Sequence, residues 1–283
     1  MQSNISSIET WAPLIALSLV LISWWMHKIK KTPHRMSLYE TLSNVTIFVI
    51  WRYLFFAGGL ALQFYIFNYI SKLIPWKLPS SGWVFALSVL LADFSYYWKH
   101  RFEHQLNFLW CQHSVHHSSE EFNLSTSLRL PWLGSYLNWF FFVPIFLLGF
   151  SAPQVLLGHQ VVLVYQYLIH TEFVQRVGIL ERILNTPSHH RVHHGRNEEY
   201  LDKNFGGILI IWDKLFSTFT PETKEPDYGL VHPLRSKNPI LINLKPWKDL
   251  FDLAKSLPSF RSKIQLLFVA PAKTELFLKL NQK

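Results

Sequence analysis

The chain has 283 residues, 49% of them hydrophobic and 16% aromatic, and a mean hydropathy of +0.13. These values are high for a soluble protein, yet 27 Lys and Arg and 18 Asp and Glu remain, so the composition predicts a membrane protein with a substantial aqueous part. The single cysteine, Cys111, excludes an intrachain disulfide and a cysteine-based metal site. The net charge of +9 accompanies apolar runs, which favours an anionic membrane leaflet over nucleic acid as the partner.

Apolar runs organise the first third of the chain. Residues 11–26 are just long enough for a tilted helix, and a signal peptide is disfavoured because the basic residues follow the run. A second run, 45–70, is long enough to span a membrane although Arg52 and Gly58-Gly59 interrupt it. The positive-inside rule places the loop between the two runs in the cytoplasm, because it carries Lys28, Lys30, Lys31 and Arg35. The loop 71–82 then lies on the opposite side.

Three further apolar segments follow. The run 83–98 returns to the cytoplasmic side and leads directly into Lys99. Segments 132–150 and 153–169 are each short for a full span, so they form either two tilted spans or a re-entrant hairpin. Either way the chain returns to the side it left. The sequence therefore predicts an all-α integral membrane protein with about four transmembrane helices and a cytosolic, histidine-rich helical cap.

The stretch 186–195 holds four histidines within six residues. Thr186 suits the cap of a short helix, Pro187 its first position and Gly195 a left-handed stop. Clustered imidazoles usually indicate a transition metal, whereas a histidine tag would be terminal and uncapped. Within this stretch an HxxHH pattern selects His190, His193 and His194 and leaves His189 outside the register.

Two more histidine boxes precede it, an HxxxH at His100 and His104 and an HxxHH at His113, His116 and His117. If the helix of the third run continues out of the membrane, Asp93, Tyr97, His100 and His104 share one face. His170 lies between the second and third boxes, at the exit of the hairpin. Eight or nine imidazoles exceed the coordination of one metal, so we expect two metals.

The segments around the histidine boxes restrict the reactions that the site is expected to catalyse. A hydrolytic zinc site usually has an open position and a carboxylate base, as in HExxH, and that motif is absent. The boxes instead adjoin apolar segments that could hold a lipid chain, which favours two redox iron ions that activate O2 against a C–H bond. No nucleotide-binding or haem-attachment motif is present, so we expect an external electron donor. A non-redox zinc membrane protein and a purely structural helical protein stay open as alternatives.

The three boxes, HisArgPheGluHis (100–104), HisSerValHisHis (113–117) and HisHisArgValHisHis (189–194), resemble those of the fatty acid hydroxylase/sterol desaturase superfamily of membrane di-iron oxygenases. The residues between them resemble the alkylglycerol monooxygenase branch in five stretches, namely 118–129, 165–172, 185–197, 202–216 and 228–233. This resemblance implies hydroxylation of the ether-linked carbon of glyceryl ethers with tetrahydrobiopterin as an external reductant, giving a hemiacetal that breaks down to aldehyde and glycerol. Sterol and fatty acyl desaturases or hydroxylases share the boxes and are the alternative.

Spacing and resemblance together give the expected ligands: His100, His104, His113, His116, His117, His170, His190, His193 and His194. Around them, a second layer or a substrate pocket is expected from Asp93, Gln105, Asn123, Arg129 and His189. The Asp93 carboxylate is expected to hydrogen-bond either a ligand imidazole or a residue of another helix. The His189 ring is expected to hydrogen-bond either a ligand or the substrate. The branch commonly has an acidic residue directly after its first box, where this chain has Gln105, with Glu103 inside the box instead.

The remaining histidines are not expected to be ligands. His159 lies eleven residues before His170, about 16 Å deeper along a helix, and His27, His34 and His232 are isolated. We expect three parts: N-terminal transmembrane helices in 1–82, a hydroxylase-like catalytic domain in 83–235 and a membrane-surface tail in 236–283. The membrane is either a bacterial inner membrane or the endoplasmic reticulum, with the histidine cap on the cytoplasmic side.

Overall fold

The computed structural model describes residues 2–30 and 36–281, and the side chains of 13–29 and 36–281. Lys31, His34 and Arg35 of the predicted basic loop lie outside the described residues. Within these ranges the fold is helical, with two isolated backbone bridges and no strand. The all-α prediction is confirmed.

The N-terminal part contains α1 (Gln2–Lys30), α2 (Leu38–Ile50) and α3 (Phe56–Leu73). A π-helical turn, Trp51–Phe55, joins α2 to α3 without a break. In the described part of the chain, Leu38–Leu73 is the one helix long and apolar enough to span a membrane, and the apolar stretch of α1, Pro13–Ile29, is shorter. The run predicted at 45–70 is therefore part of a longer helix.

Gly58 and Gly59, which interrupt the apolar run, lie within this continuous helix. A side chain at Gly58 would overlap the Tyr136 hydroxyl, and one at Gly59 would overlap Ser135. Both glycines therefore let α3 approach the following hairpin closely, where Gln63 donates a 2.6 Å hydrogen bond to the Ser135 carbonyl.

The centre of the fold is α4 (Gly82–Gln105), which packs along α8 (Ala152–Leu168). The core between them includes Ala92, Tyr96, Val155 and Val162. Helix α4 continues past the predicted run, as expected, so the face carrying Asp93, Tyr97, His100 and His104 is buried throughout. A single extended residue, Leu106, separates α4 from α5 (Asn107–His117), which carries the second box.

The first limb of the predicted hairpin is not one helix. It consists of α6 (Gly134–Leu137), a 3₁₀ turn (Trp139–Phe142) and α7 (Val143–Phe146), and it ends at Gly149 with φ of +93°. Pro144 cannot donate a backbone hydrogen bond to the preceding turn, which opposes a continuous helix. The stretch 132–150 is therefore a series of short helices and turns, unlike the continuous helix α8 that follows it.

The rest of the described chain forms further α-helices of five to 18 residues. These are α9 (Pro187–His194), α10 (Ile211–Leu215), α11 (Pro239–Ser256), α12 (Phe260–Phe268) and α13 (Thr274–Asn281). Helix α11 packs against α5 and α2, with Ile242 in a cluster with Ile47, Val115 and Trp132. The second histidine box is therefore held between the N-terminal helices and the C-terminal segment.

Candidate metal centre

Helix α9 is only eight residues long, and every one of its side chains is buried. Thr186 is its extended N-cap and Pro187 its first residue, as predicted. The predicted left-handed stop at Gly195 is wrong, because Gly195 is extended with φ of −74°. A Cβ there would lie 2.9 Å from the Tyr200 ring, so glycine is required by close packing. A helix this short is stabilised by its surroundings, not by its own hydrogen bonds.

The nine expected ligands lie in two groups. Within each group, one ligand atom per residue can be chosen so that these atoms all lie within 4.8 Å of one another. Group 1 contains His100, His104, His113, His117 and His193. Group 2 contains His116, His170, His190 and His194.

The two HxxHH boxes contribute to the groups in reciprocal ways. In α5 the i and i+4 members, His113 and His117, join group 1, and His116 joins group 2. In α9 the i and i+4 members join group 2, and the i+3 member, His193, joins group 1. Neighbouring residues on a helix point about 100° apart, so each box faces both groups at once.

The contacts within group 1 fit a bound cation. The Nε2 atom of His117 lies 3.1 Å from that of His113, 3.2 Å from that of His104 and 3.0 Å from that of His193. A proton on one Nε2 can serve only one of these contacts, so the other converging lone pairs repel each other unless a cation lies between them. With metal–nitrogen distances of about 2.1 Å, neighbouring ligands at a right angle are about 3.0 Å apart.

Group 2 shows the same arrangement with fewer members. The Nε2 atom of His170 lies 3.1 Å from that of His116 and 3.1 Å from that of His190. The Nε2 atom of His194 is buried and has no hydrogen-bond partner among the described residues. A buried ring nitrogen without a partner is costly, and a metal ion is a partner that would satisfy it.

Most of these rings are oriented by an acceptor at the opposite nitrogen. The Nδ1 atoms of His100 and His193 each donate a 2.9 Å hydrogen bond, to the carbonyls of Phe205 and Lys203. His170 donates from Nδ1 to the Gln166 carbonyl at 2.6 Å. Such bonds place the proton on Nδ1 and leave Nε2 free to bind a metal.

Two carboxylates also touch outward-facing nitrogens. His104 Nδ1 lies 3.2 Å from Asp202 and His113 Nδ1 lies 3.3 Å from Glu103. Neither carboxylate was assigned a role from sequence. The HxxxH pattern drew attention to its histidines, and Asp202 is some hundred residues away in the chain.

Burial lowers the pKa of three of these imidazoles, those of His113, His117 and His170. The pKa of His170 falls to about 4. Burial, followed by the charges of neighbouring imidazoles, lowers the pKa of His113 and His117 well below the usual range of histidine. These rings are therefore neutral at pH 7, which is the form that binds metal.

The segment 202–209 crosses group 1 and carries the acceptors for three of its rings. Asp93 accepts hydrogen bonds from the backbone of Ile208 and Leu209 and from the Trp212 indole. Asp213 accepts 2.7 Å bonds from the backbone N–H groups of Phe205 and Gly206. Of the two roles expected for Asp93, the structure shows the bond between segments, since no imidazole touches it.

The backbone of this segment takes positive φ at residues other than its glycines. The left-handed residues are Asp202 and Asn204, each with φ of 57°. Gly207 is required for another reason, because a Cβ there would lie 2.8 Å from Val162 and would overlap the Asp93 carboxylate. The segment is thereby held where it orients three rings of group 1.

The other residues predicted around the ligands do not touch either group. Asn123 accepts bonds from the backbone and hydroxyl of Ser125 at 2.9 and 2.7 Å, which is a local turn. Gln105, the last residue of α4, is half-buried and makes no side-chain hydrogen bond with another described residue. His189 is buried outside both groups, 3.2 Å from the Leu184 carbonyl and packed on Phe219.

Arg129 lies in a buried ion pair beside the second box. It donates to Glu40 at 2.6 Å, to Asn44 at 2.7 Å and to Ser118 at 2.9 Å. Because Ser118 directly follows α5, this side chain ties the end of the second box to α2. It is a structural link between α5 and α2.

Three of the histidines that were not expected to be ligands lie among the described residues, and none of them belongs to either group. His159 stacks on Phe142 at 4.2 Å. His232 is exposed. His27 is buried and contacts Phe173.

The region that carries the two histidine groups is similar to known proteins. Residues 85–218 match the fatty acid hydroxylase family. The chain is similar to alkylglycerol monooxygenase of Homo sapiens, with 41% identity over 264 residues, covering 91% of this chain and 57% of the relative. It is also similar to alkylglycerol monooxygenase of Danio rerio, with 53% identity over 162 residues, covering 57% of this chain and 35% of the relative.

A bacterial relative is more distant. Ornithine lipid hydroxylase OlsE of Rhizobium tropici is 31% identical over 173 residues, covering 58% of this chain and 50% of the relative. The chain spans about half the length of the curated relatives it matches. No solved structure matches it significantly. The region that matches the fatty acid hydroxylase family, residues 85–218, contains both histidine groups.

Proposed function

We propose that this chain is a membrane-bound non-haem di-iron oxygenase that hydroxylates a C–H bond of a lipid with O2. The observation that carries the proposal is the division of nine buried or half-buried histidines into groups of five and four, each able to hold one metal. Bound iron, with electrons from an external donor, would supply the activation of O2 that no side chain provides. The nine histidines named in the two groups would be the ligands.

The chain's own residues hold and shield these metals. The 202–209 segment and Gln166 fix the protons of His100, His193 and His170 on the outward nitrogens. Phe122 stacks on His170 at 5.4 Å, and Tyr228 stacks on Phe122 at 5.2 Å. These rings cover group 2 with apolar surface, which excludes water from that side of the group.

The substrate we favour is an alkylglycerol, with a tetrahydropterin such as tetrahydrobiopterin as the electron donor. The support is similarity to two alkylglycerol monooxygenases over regions that include the histidine boxes. One oxygen atom of O2 would enter the C–H bond beside the ether oxygen, and the other would leave as water with two electrons and two protons from the donor. The hemiacetal then breaks down to an aldehyde and glycerol.

A second candidate is hydroxylation or desaturation of another lipid, such as a sterol or fatty acyl chain, with a different electron donor. It is favoured by similarity to a lipid hydroxylase of another substrate class and by Gln105 at a position that is commonly acidic in the alkylglycerol branch. A non-redox zinc protein is a weaker alternative, because an exclusively histidine site lacks the carboxylate base usual for zinc hydrolysis.

We also propose the membrane arrangement. The domains are N-terminal transmembrane helices in 1–82, the catalytic domain in 83–235 and a tail in 236–283, with about four membrane segments including the hairpin. The histidine groups lie on the cytoplasmic side of a bacterial inner membrane or the endoplasmic reticulum. The support is the 36-residue apolar helix Leu38–Leu73 together with the apolar runs around it.

The tail is proposed to lie on the membrane surface. It has nine Lys and Arg against three Asp and Glu, and its helices expose apolar side chains at helical spacing, namely Ile240, Leu244, Phe251, Phe260, Ile264 and Phe268. Basic amphipathic helices bind anionic leaflets in this way. A fluorescent label at Phe260→Cys in lipid nanodiscs should be quenched by headgroup-level quenchers, and a label that stays in water contradicts this placement.

The function is tested with a substrate panel on purified full-length protein in nanodiscs. Glyceryl ethers, fatty acids and sterols are each supplied with iron, with and without tetrahydropterin, and oxygen uptake and products are measured. We expect uptake on glyceryl ethers that requires the pterin. Uptake only on another lipid favours the second candidate, and zinc binding without uptake on any lipid, even after iron reconstitution, contradicts the proposal.

A further inference from the structure

Glu103 lies inside the first histidine box and is one of the least exposed carboxylates described, with 1% of its surface accessible. Its side chain accepts hydrogen bonds from three donors and lies within ion-pair distance of the His113 ring. Oε2 accepts from Lys99 at 2.8 Å and lies 3.3 Å from Nδ1 of His113. Oε1 accepts from Gln112 at 3.1 Å and from Asn138 at 2.9 Å. Such a buried charge is tolerated only when it is compensated on every side.

The contact with His113 connects this carboxylate to group 1. The opposite ring nitrogen, His113 Nε2, faces the Nε2 atoms of His100 and His117 at 3.0 and 3.1 Å. A carboxylate at Nδ1 keeps the proton on that nitrogen, fixes the ring and makes Nε2 a stronger donor to a metal. We infer that Glu103 is a positioning residue for group 1, acting through His113.

Glu103 also joins three parts of the fold at this point. Lys99 and Glu103 belong to α4, Gln112 and His113 to α5, and Asn138 to the broken first limb of the hairpin. The Gln112 amide also donates a 2.6 Å bond to Asn138. The hairpin is therefore linked to group 1 through one carboxylate, so a shift of the hairpin would move the His113 ring.

Glu103 is not a displaced copy of the acidic residue that the alkylglycerol branch commonly has directly after the first box. That place is Gln105, and residues two apart on a helix point about 200° apart. The two positions therefore face different surroundings, and Gln105 makes no contact with His113. The contact between a box-internal carboxylate and His113 is a property of this chain's own residues.

The inference rests on the proposed metal site and is tested by metal binding. Metal-free full-length protein in nanodiscs is titrated anaerobically with Co²⁺, and then with Fe²⁺, in competition with a chelator. The variant Glu103→Gln keeps the size and one acceptor oxygen but removes the charge. We expect it to bind one metal as the wild type does and the second about 10- to 100-fold more weakly, with an altered Co²⁺ absorption spectrum.

Two matched variants serve as controls. Asp202→Asn removes the other carboxylate of group 1, whose side chain is 54% exposed beside His104, so its effect on metal affinity should be smaller because water screens it. Glu121→Gln removes a carboxylate that accepts from the Ser37 backbone and touches no histidine, so both metal affinities should be unchanged.

Thermal unfolding of the metal-free variants separates positioning from folding. The inference holds if Glu103→Gln still unfolds cooperatively without metal and loses affinity at one site only. Unchanged affinity at both sites overturns it. Equal losses at both sites with a lowered metal-free melting temperature also overturn it, in favour of a structural role. A wild type that binds neither Co²⁺ nor Fe²⁺ overturns the proposed function itself.

Discussion

Replacing His190 with alanine is expected to remove about one metal ion per chain and to lower lipid oxidation by at least about 100-fold. Group 2 has only four imidazoles, and His190 Nε2 lies 3.1 Å from His170 Nε2. The variant leaves three ligands there, while group 1 keeps all five of its histidines. Metal analysis and turnover of the purified variant, compared with the wild type, measure both effects.

The neighbouring histidine provides the control. His189→Ala removes a ring of the same type, one residue earlier in the same helix, which faces the Leu184 carbonyl and Phe219 instead of a group. We expect two metals per chain in this variant and a lower melting temperature. Loss of a metal from His189→Ala, or retention of both metals by His190→Ala, would contradict the assignment of ligands.

Replacing Arg129 with methionine is expected to lower the free energy of unfolding by about 3–5 kcal/mol. The guanidinium and the Glu40 carboxylate are 1% and 6% exposed and lie 2.6 Å apart. Removing the arginine leaves the carboxylate buried without its main partner, and Asn44 and Ser118 each lose a donor. Chemical unfolding in detergent, followed by tryptophan fluorescence, measures the loss.

The double variant Glu40→Met/Arg129→Met shows whether the cost comes from the unpaired charge. Replacing both members with apolar side chains removes the buried charge, so we expect the double variant to be more stable than Arg129→Met alone. If Arg129→Met lowers the free energy of unfolding by less than about 1 kcal/mol, the Arg129–Glu40 pair behaves like an exposed ion pair, which contradicts the prediction.

The membership of the site could be predicted from sequence, because its signals are local. An i, i+4 pair on a helix places two imidazoles on one face, so His100 and His104 were expected to share a face. The structure also places His170 beside the third box, although it belongs to no box of its own. The place of His170 among the ligands was predicted from the resemblance and not from spacing.

The division into two groups could not be read from spacing alone. His116 and His117 are adjacent in sequence yet belong to different groups, because their side chains point in different directions and the partners come from α4, α8 and α9. Which direction meets which partner depends on how these helices pack. Long-range packing is not encoded in the spacing within one box.

The orienting residues were also missed, for the same reason. The carbonyls of Lys203 and Phe205 carry no signal in their side chains, since any residue offers a carbonyl. Their position depends on Asp93 and Asp213, which hold the 202–209 segment over group 1. Asp93 was expected to have a specific role because a carboxylate in an apolar run is costly, but its partners lie more than a hundred residues away.

The helix whose extent follows from the length of an apolar run was predicted from sequence. The stretch whose backbone breaks for a local reason was not. Helix α4 continues through the first box as expected. The limb at 134–146 is apolar in composition, yet it breaks into short helices and turns. Hydropathy does not predict this break, because it does not register the effect of Pro144 on the helix.

Isotope labelling tests the central claim, that this protein uses O2 to oxidise a lipid C–H bond, most directly. Iron-loaded protein in nanodiscs is given a glyceryl ether, a tetrahydropterin and ¹⁸O2, and the aldehyde is reduced in place so that its oxygen does not exchange with water. The account predicts one ¹⁸O atom in the resulting alcohol and no product without O2. A product formed without O2, or one whose oxygen comes from water, would contradict it.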